Sequence, residues 1–180
     1  MHFLFSTQEM LLFFKKKCSI CGAKNPLDAK TCVSCDVPFE FRQAKTPEFT
    51  RNYDEVIRLN PQTAEAYYER GLVYRNQEQG ERAIEDFDKA IRLNPQFAKA
   101  YSSRAHVYLN NKQYDRAIVD CGKAIRLDPN DAVAYVNQGV AYKLQGNKAE
   151  AIANFEKAVT LSDNPQVIKM AEQQIEELSR

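Results

Sequence analysis

Apolar and small side chains recur at helical spacing through most of the chain. Tyr67, Gly71 and Tyr74 are separated by four and then three positions, which places them on one face of an α-helix. A second stripe with the same spacing follows the polar stretch NQEQG and consists of Ala83, Phe87 and Ala90. Small residues in such stripes allow two helices to approach closely. The pattern therefore predicts an antiparallel pair of amphipathic helices joined by a short polar turn.

The helix pair is repeated at a fixed interval of 34 residues. The stretch KAIRLNPQ begins at Lys89 and returns as KAIRLDPN at Lys123, while EVIRLNPQ begins at Glu55 and KAVTLSDN at Lys157. Each second helix is expected to end near Leu-Asn-Pro or Leu-Asp-Pro, because proline lacks an N–H group and disfavours helix in the residue before it. A repeat of this length predicts a solenoid in which every unit packs on its neighbours.

The residues that precede the units differ in their ability to cap a helix. Thr63 and Asp131 carry side-chain oxygens that can accept hydrogen bonds from the first free backbone N–H groups. Phe97 occupies the equivalent place and has no such oxygen. We therefore expect the second unit to begin more loosely than the other two.

The repeat resembles the tetratricopeptide repeat, whose pattern is W-x2-L-G-x2-Y followed by A-x3-F and a proline. The first unit reads Tyr67-x2-Arg70-Gly71-x2-Tyr74, then Ala83-x3-Phe87, then Pro95. The resemblance implies an all-α fold, a right-handed superhelical solenoid of antiparallel helix pairs. Its expected parts are a half-repeat helix at 47–61, three units at 64–97, 98–131 and 132–165, and a capping helix at 166–180.

The chain departs from the family pattern at two places in the core stripes. Arg70, Arg104 and Gln138 stand where the family has leucine. We expect their aliphatic stems to cover the seam between helices while their polar heads reach water. Cys121 replaces the aromatic residue of the second stripe, and a buried structural thiol is expected there.

Residues 18–40 contain two C-x2-C pairs separated by ten residues, which are Cys18, Cys21, Cys32 and Cys35. Short loops of this kind direct both thiolates toward one ion, so the spacing predicts a four-sulfur metal site. The stretch is similar to short prokaryotic zinc ribbons of the CxxCGAxNPxDAxxCxxC kind, which implies one Zn²⁺. Iron bound by the same four cysteines is the alternative. With sulfur in all four positions, the site is expected to be structural rather than catalytic.

Residues 1–17 are mainly apolar and aromatic, with Gln8 and Glu9 in the middle and three lysines at the end. This order of charge is the reverse of a signal peptide. We expect a tail that frays or docks on the protein, and contact with a membrane interface is the alternative. The sequence has no run of about 18 apolar residues that would predict a spanning helix.

Charge and composition give little reason to expect an enzyme. The formal net charge is +1, the histidines are His2 and His106, and no phosphate loop, nucleophile elbow or metalloprotease motif occurs. Nucleic-acid contact through a basic ribbon end, with Lys15–Lys17, Lys24 and Lys30, is kept as an alternative function. The cysteines are clustered and no export signal precedes them, so we expect a cytoplasmic protein.

The family resemblance implies a scaffold that binds a peptide or partner protein in a concave groove lined by the first helix of each unit. The predicted groove residues lie opposite the core stripe and are Tyr68, Leu72, Arg75, Asn76, Lys99, Ser102, His106, Leu109, Asn110, Val133, Val136, Val140, Lys143 and Leu144. In the third unit these include three valines and a leucine. This apolar ladder is interpreted either as a binding patch or as a surface covered by the capping helix or a second chain.

One activity of the family is not expected here. Chaperone-binding members hold a C-terminal carboxylate with lysine, arginine and asparagine side chains at five positions. The matching residues are Tyr68, Leu72, Ser103, Val133 and Asn137. Four of them cannot do this and Asn137 carries no charge, so we predict no two-carboxylate clamp.

Overall fold

The computed structural model describes the backbone of residues 15–17, 24–26 and 47–52 and the complete residues 53–180. Eight helices lie in this described part. They are α1 (Pro47–Leu59), α2 (Ala64–Asn76), α3 (Gly80–Leu93), α4 (Ala98–Asn110), α5 (Tyr114–Leu127), α6 (Ala132–Leu144), α7 (Lys148–Leu161) and α8 (Pro165–Ser179). Two short strands, β1 (Lys15–Lys17) and β2 (Lys24–Pro26), pair antiparallel, with Lys15 opposite Pro26 and Lys17 opposite Lys24.

The helices form three stacked pairs, α2 with α3, α4 with α5, and α6 with α7. The half-repeat helix α1 packs on α2, and α8 packs on α7. The first helices of successive units also touch, because α2 contacts α4 and α4 contacts α6. This arrangement confirms the predicted all-helical solenoid of antiparallel pairs.

The core stripes pack by matching a small residue against a large one. Gly71 lies so close to Phe87 that an added Cβ atom would be 2.7 Å from the ring Cε1 atom. Gly139 and Phe155 repeat this contact, with the corresponding distance at 2.9 Å. In the second unit Ala105 takes the place of glycine, and the smaller Cys121 takes the place of phenylalanine. The size of the stripe residue thus compensates for the size of the residue that faces it.

Cys121 is fully buried, as the family pattern implies for that position. Burial raises the pKa of the Cys121 thiol well above its ordinary value. The side chain therefore stays protonated and contributes packing rather than reactivity.

The heads of Arg70 and Arg104 are held in ion pairs and their side chains are only 18% and 17% exposed, which corrects the prediction that they extend freely into water. Arg70 donates two hydrogen bonds to Asp86 on α3, with Nε–Oδ2 and Nη2–Oδ1 distances of 2.7 and 2.6 Å. Its third nitrogen, Nη1, lies 2.6 Å from Oδ1 of Asp54 on α1. Arg104 repeats the arrangement with Asp120 and Asp88. Each arginine therefore joins its own unit to the helix before it.

The charges of these aspartates hold the arginines in their ionised form. Burial lowers the pKa of Arg70, but the hydrogen bonds and negative charge of Asp86 outweigh burial and raise the pKa above its ordinary value. The same balance applies to Arg104 and Asp120. These buried ionic groups have full hydrogen-bond partners, which is the condition for tolerating them inside a protein.

The third unit replaces the whole ionic group. Gln138 stands in place of the arginine, and Asn154 and Gly122 stand in place of the two aspartates. Gln138 donates from Nε2 to the carbonyl oxygen of Ile118 at 3.3 Å. Asn154 donates to the carbonyl of Glu150 within its own helix. The joint between the second and third units is therefore neutral.

The helix starts confirm one predicted cap and contradict another. The Asp131 side chain accepts from the backbone N–H groups of Val133 and Ala134. Thr63 makes no side-chain capping hydrogen bond. Phe97 makes none either, yet α4 begins at the equivalent residue of its unit, Ala98.

The helix α8 closes the described solenoid. Ala171 is buried against α7, and the Lys143 ammonium group on α6 donates to Gln174 and Glu177 at 2.8 and 2.7 Å. Where the repeat would place its aromatic and glycine stripe, α8 carries the exposed polar residues Lys169, Gln173 and Glu176. Such a polar outer face suits the capping role predicted for this helix.

Three predictions concern side chains outside the described residues. These are the four-cysteine metal site, membrane contact through residues 1–17, and nucleic-acid contact through the lysines of the ribbon end. Within the described helices, none combines the length and the apolar character required to cross a bilayer.

Candidate binding groove

The first helices of the units line an open cavity of about 640 Å³. We call this cavity the groove. Its walls come from α2 and α4, its far side from the loop before α6 and the first turn of α6, and its near end from Tyr53 of α1. The lining residues are Tyr53, Tyr68, Glu69, Leu72, Val73, Arg75, Asn76, Lys99, Ser102, Ser103, Asp128, Asn130, Asp131, Ala132 and Val133.

Half of the predicted groove residues meet in this cavity. They are Tyr68, Leu72, Arg75, Asn76, Lys99, Ser102 and Val133. The other seven, His106, Leu109, Asn110, Val136, Val140, Lys143 and Leu144, are absent from its lining. The groove therefore lies over the first and second units and only reaches the beginning of the third.

The four residues of the apolar ladder divide into two that pack in or against the core and two that remain exposed. Val136 is only 7% exposed. Val140 is half-buried and packs against two core clusters, that of the second unit and that formed between α7 and α8, which contains Ala171. Val133 and Leu144 remain exposed. Of the two interpretations of the ladder, cover by the capping helix fits Val140.

Two further predicted groove residues are also buried rather than available. Ser102 and Leu109 on α4 are 5% and 8% exposed. The carbonyl oxygen of Ser102 accepts a hydrogen bond from the buried Asn137 amide at 3.3 Å. The junction of α4 and α6 is therefore a packed floor beneath the groove.

Aromatic side chains form the wall of the groove on α2. Tyr68 packs against Phe87 and Phe97, with ring centroids 5.9 and 4.8 Å away. Burial raises the pKa of Tyr68, although its hydrogen bond with Ser103 opposes the shift. Tyr68 is thus a neutral, fixed side chain that presents an apolar ring and a polar hydroxyl to a ligand.

Sequence reasoning missed two parts of the groove. Tyr53 comes from the half-repeat, which has no first helix of its own to signal a groove position. Asp128, Asn130 and Asp131 belong to the connection between units rather than to a helix face. Glu69, Val73 and Ser103 could have been found, because each follows a predicted groove position on a first helix by one residue.

Arg75 is a half-buried cation in the groove that forms no ion pair within residues 53–180. Desolvation lowers the pKa of Arg75 below its ordinary value, and only the nearby Tyr68 opposes this shift. Its Nη2 atom lies 3.3 Å from Oδ1 of Asn76. On α4, desolvation and the charge of Arg75 lower the pKa of His106, against a hydrogen bond with Asn137 that raises it.

The described residues include no candidate metal centre. No group of three or more histidine, cysteine, aspartate and glutamate side chains among them could hold a metal ion. The groove is lined by hydroxyl, amide, aromatic and charged side chains whose arrangement suits recognition of a polypeptide segment.

Comparison with known sequences agrees with this architecture. The family model for the tetratricopeptide repeat matches residues 64–97, 98–131 and 132–165, which is more than half of the chain. The protein belongs to the tetratricopeptide repeat family. A comparison with curated proteins finds no match.

Several solved structures are similar to the chain. The TPR domain of Arabidopsis OM64 is 29% identical, with a TM-score of 0.60, and the match covers 63% of this chain and 94% of that domain. The TPR2B domain of yeast Sti1, solved in complex with pHsp70, is 27% identical over 64% of this chain and 95% of its own, with a TM-score of 0.62.

A third similar structure was also solved with a peptide. The second TPR domain of human RPAP3, in complex with an HSP70 peptide, is 29% identical over 63% of this chain and 92% of its own, with a TM-score of 0.58. These relatives are protein-interaction modules of the same fold as this chain.

Proposed function

We propose that this protein is a non-enzymatic scaffold that binds a peptide segment of a partner protein in the groove. The observation that carries the proposal is the open cavity of about 640 Å³ formed by three successive first helices. Solved relatives of the same fold bind peptides, as the Sti1 and RPAP3 complexes show for those proteins. The partner is expected to differ from theirs, because Tyr68, Leu72 and Val133 occupy positions where a carboxylate clamp needs polar or charged groups.

An exposed valine inside the groove tests this proposal against a matched valine outside it. Val133 lines the groove and is 52% exposed, whereas Val119 lies on α5, outside the groove, and is 67% exposed. We expect Val133→Glu to weaken partner binding at least about tenfold, because a charge replaces apolar contact surface. Val119→Glu should leave binding unchanged.

The measurement is affinity capture from the native cell extract, followed by titration of the captured partner. Thermal melting of both variants should stay close to that of the parent chain, since neither valine is buried. Equal binding by the two variants would place the partner elsewhere on the molecule. Substitutions of Val136 and Val140 are unsuitable for this test because both side chains support the core.

We infer a second property, a structural zinc ribbon in residues 18–40. Two observations support it: the spacing of the four cysteines and the pairing of β1 with β2. The paired strands bring Lys17 and Lys24 together on either side of the segment that contains Cys18 and Cys21. A short antiparallel pair around a C-x2-C sequence is compatible with two thiolates directed at one ion. We also propose a cytoplasmic location for the protein.

Metal analysis of the purified full chain should return one zinc ion per molecule. Cys18→Ser should release the ion, because a tetrahedral structural site needs all four thiolates. Cys121→Ser is the matched control, since that thiol is buried between helices. Chelation should leave most of the helical circular dichroism signal unchanged, because the core of residues 53–180 contains none of the four ribbon cysteines. Iron in place of zinc, or no metal in protein prepared under reducing conditions, would contradict the assignment.

A further inference from the structure

Arg75 is a half-buried cation of the groove that has no counter-ion among the described residues. Arg70 and Arg104 each bind two aspartates, whereas Arg75 forms no ion pair within residues 53–180. Its hydrogen-bond partner is the amide oxygen of Asn76. Partial burial without a compensating negative charge is unfavourable for a guanidinium group. A ligand that brings a carboxylate to Arg75 would remove this cost.

The surroundings of Arg75 are also positive or neutral. His106, on the facing helix α4, has its pKa lowered by desolvation and by the charge of Arg75, so the field of Arg75 extends across to α4. Lys99 lines the groove at the first turn of α4, is exposed, and forms no ion pair within the described residues. The Lys99 ammonium group can donate to an anion bound in the groove.

The acidic residues of the groove are engaged with the chain itself. Asp131 accepts from the backbone N–H groups of Val133 and Ala134 at 3.0 and 3.1 Å. Asp128 accepts from the N–H group of Asn130 at 3.1 Å, and Glu69 also has an interaction within the molecule. The two aspartates lie before α6, so the groove is negative at that side and positive at Arg75. This polarity orients a ligand that carries negative charge.

We propose that the bound segment is acidic, and that an aspartate or glutamate side chain of the partner pairs with Arg75 and is assisted by Lys99. A neighbouring apolar side chain of the segment packs against Leu72 and Val133, which line the same cavity. A guanidinium group can hold a carboxylate through two parallel hydrogen bonds, which gives both strength and orientation. This inference rests on the proposed function of the groove. It differs from the carboxylate clamp of chaperone-binding relatives, because neither Arg75 nor Lys99 matches a clamp position.

The test uses the full chain and pools of short peptides that are acetylated and amidated at their ends. The pools are otherwise neutral and identical, and they carry glutamate, glutamine or lysine at one fixed position. Fluorescence anisotropy should show binding of the glutamate pool about tenfold tighter than that of the glutamine pool, the size of effect expected for a charged hydrogen-bonded pair. The lysine pool should bind most weakly.

Substitutions in the groove test which side chains cause the preference for the glutamate pool. Arg75→Gln should abolish the difference between glutamate and glutamine pools, Arg75→Lys should retain part of it, and Lys99→Gln should reduce it about two- to threefold. Lys157→Gln removes an exposed positive charge on α7, outside the groove, and should change nothing. Unchanged melting temperatures would show that each variant is folded.

The outcomes separate this inference from the proposed function. Binding of all pools with equal strength, or preference for lysine, would overturn the acidic ligand and leave the peptide groove intact. A glutamate preference that survives Arg75→Gln would also overturn it. In a further outcome, a neutral pool with free C-termini binds through Arg75 while the amidated glutamate pool does not bind. That outcome would mean that Arg75 pairs with the carboxylate of a chain terminus instead of a side chain. Failure of every pool to bind would remove the peptide groove and the inference together.

Discussion

Arg104→Met should lower the free energy of unfolding by about 3 kcal/mol or more, the range measured when one partner of a buried ion pair is removed. The substitution keeps an unbranched apolar side chain of similar length, but it leaves Asp120 without its two hydrogen bonds from Arg104. The Asp120 side chain is only 6% exposed, so water cannot fully replace the lost partner. Chemical denaturation followed by circular dichroism would measure the change.

The third unit supplies a control for this prediction. Gln138→Met makes the equivalent change where no aspartate is present and removes one hydrogen bond, to Ile118. Its expected cost is about 1 kcal/mol. Comparable losses for the two variants would show that the ionic group contributes little beyond its packing.

A second control copies the third unit into the second. Replacing Arg104, Asp120 and Asp88 together, by Gln, Asn and Gly, removes every charge of the group and reproduces the residues of the neutral joint. We expect this triple variant to recover part of the stability lost in Arg104→Met, because no buried charge is left unpaired. A further loss would contradict the explanation.

Gly71→Leu should be the most damaging single substitution in the core of the first unit. An added Cβ atom alone would lie 2.7 Å from Cε1 of Phe87, and that ring is fully buried. The larger side chain must push α2 and α3 apart, at a cost of about 1–3 kcal/mol or more. A fall in melting temperature of several degrees is the expected readout.

Gly80→Ala is the comparison for this substitution. Gly80 is the first residue of α3, and a Cβ atom there would lie 3.3 Å from Cγ1 of Val107. The equivalent residues of the other units, Tyr114 and Lys148, carry full side chains. We expect a change within about 1 kcal/mol, because alanine also reduces the freedom of the unfolded chain. Equal melting shifts for the two substitutions would mean that the helix pairs are packed in another register.

The sequence predicts the helical units and their core contacts because both depend on the spacing of residues that are close together in the chain. Helix periodicity places Gly71 and Phe87 on facing stripes, and the 34-residue interval repeats that contact in every unit. The exchange of glycine and phenylalanine for Ala105 and Cys121 is visible in the sequence as well, since the larger residue at one position accompanies a smaller residue at the other. These features need only the spacing of residues along two neighbouring helices.

The ion-pair partners of Arg70 and Arg104 could be identified only from the tertiary structure. Arg70 is separated from both Asp86 and Asp54 by 16 residues, one on each side, and these partners lie on different helices. The periodicity of one helix says which face Arg70 occupies but does not say which charges lie opposite it. The guanidinium groups therefore bind aspartates, whereas the sequence alone predicted that they extend freely into water.

The sequence by itself determined the family, the helix pairs and the general face proposed for binding, because the repeat encodes all three locally. Only the tertiary structure decided that Val136 is buried, that Val140 packs against the core, and that Arg75 lines a groove without an ion pair within residues 53–180. Val140 packs against core clusters of the second and third units, and the groove is completed by Tyr53 and the loop before α6. Burial depends on which neighbouring elements cover a face, and helical periodicity alone does not contain that information.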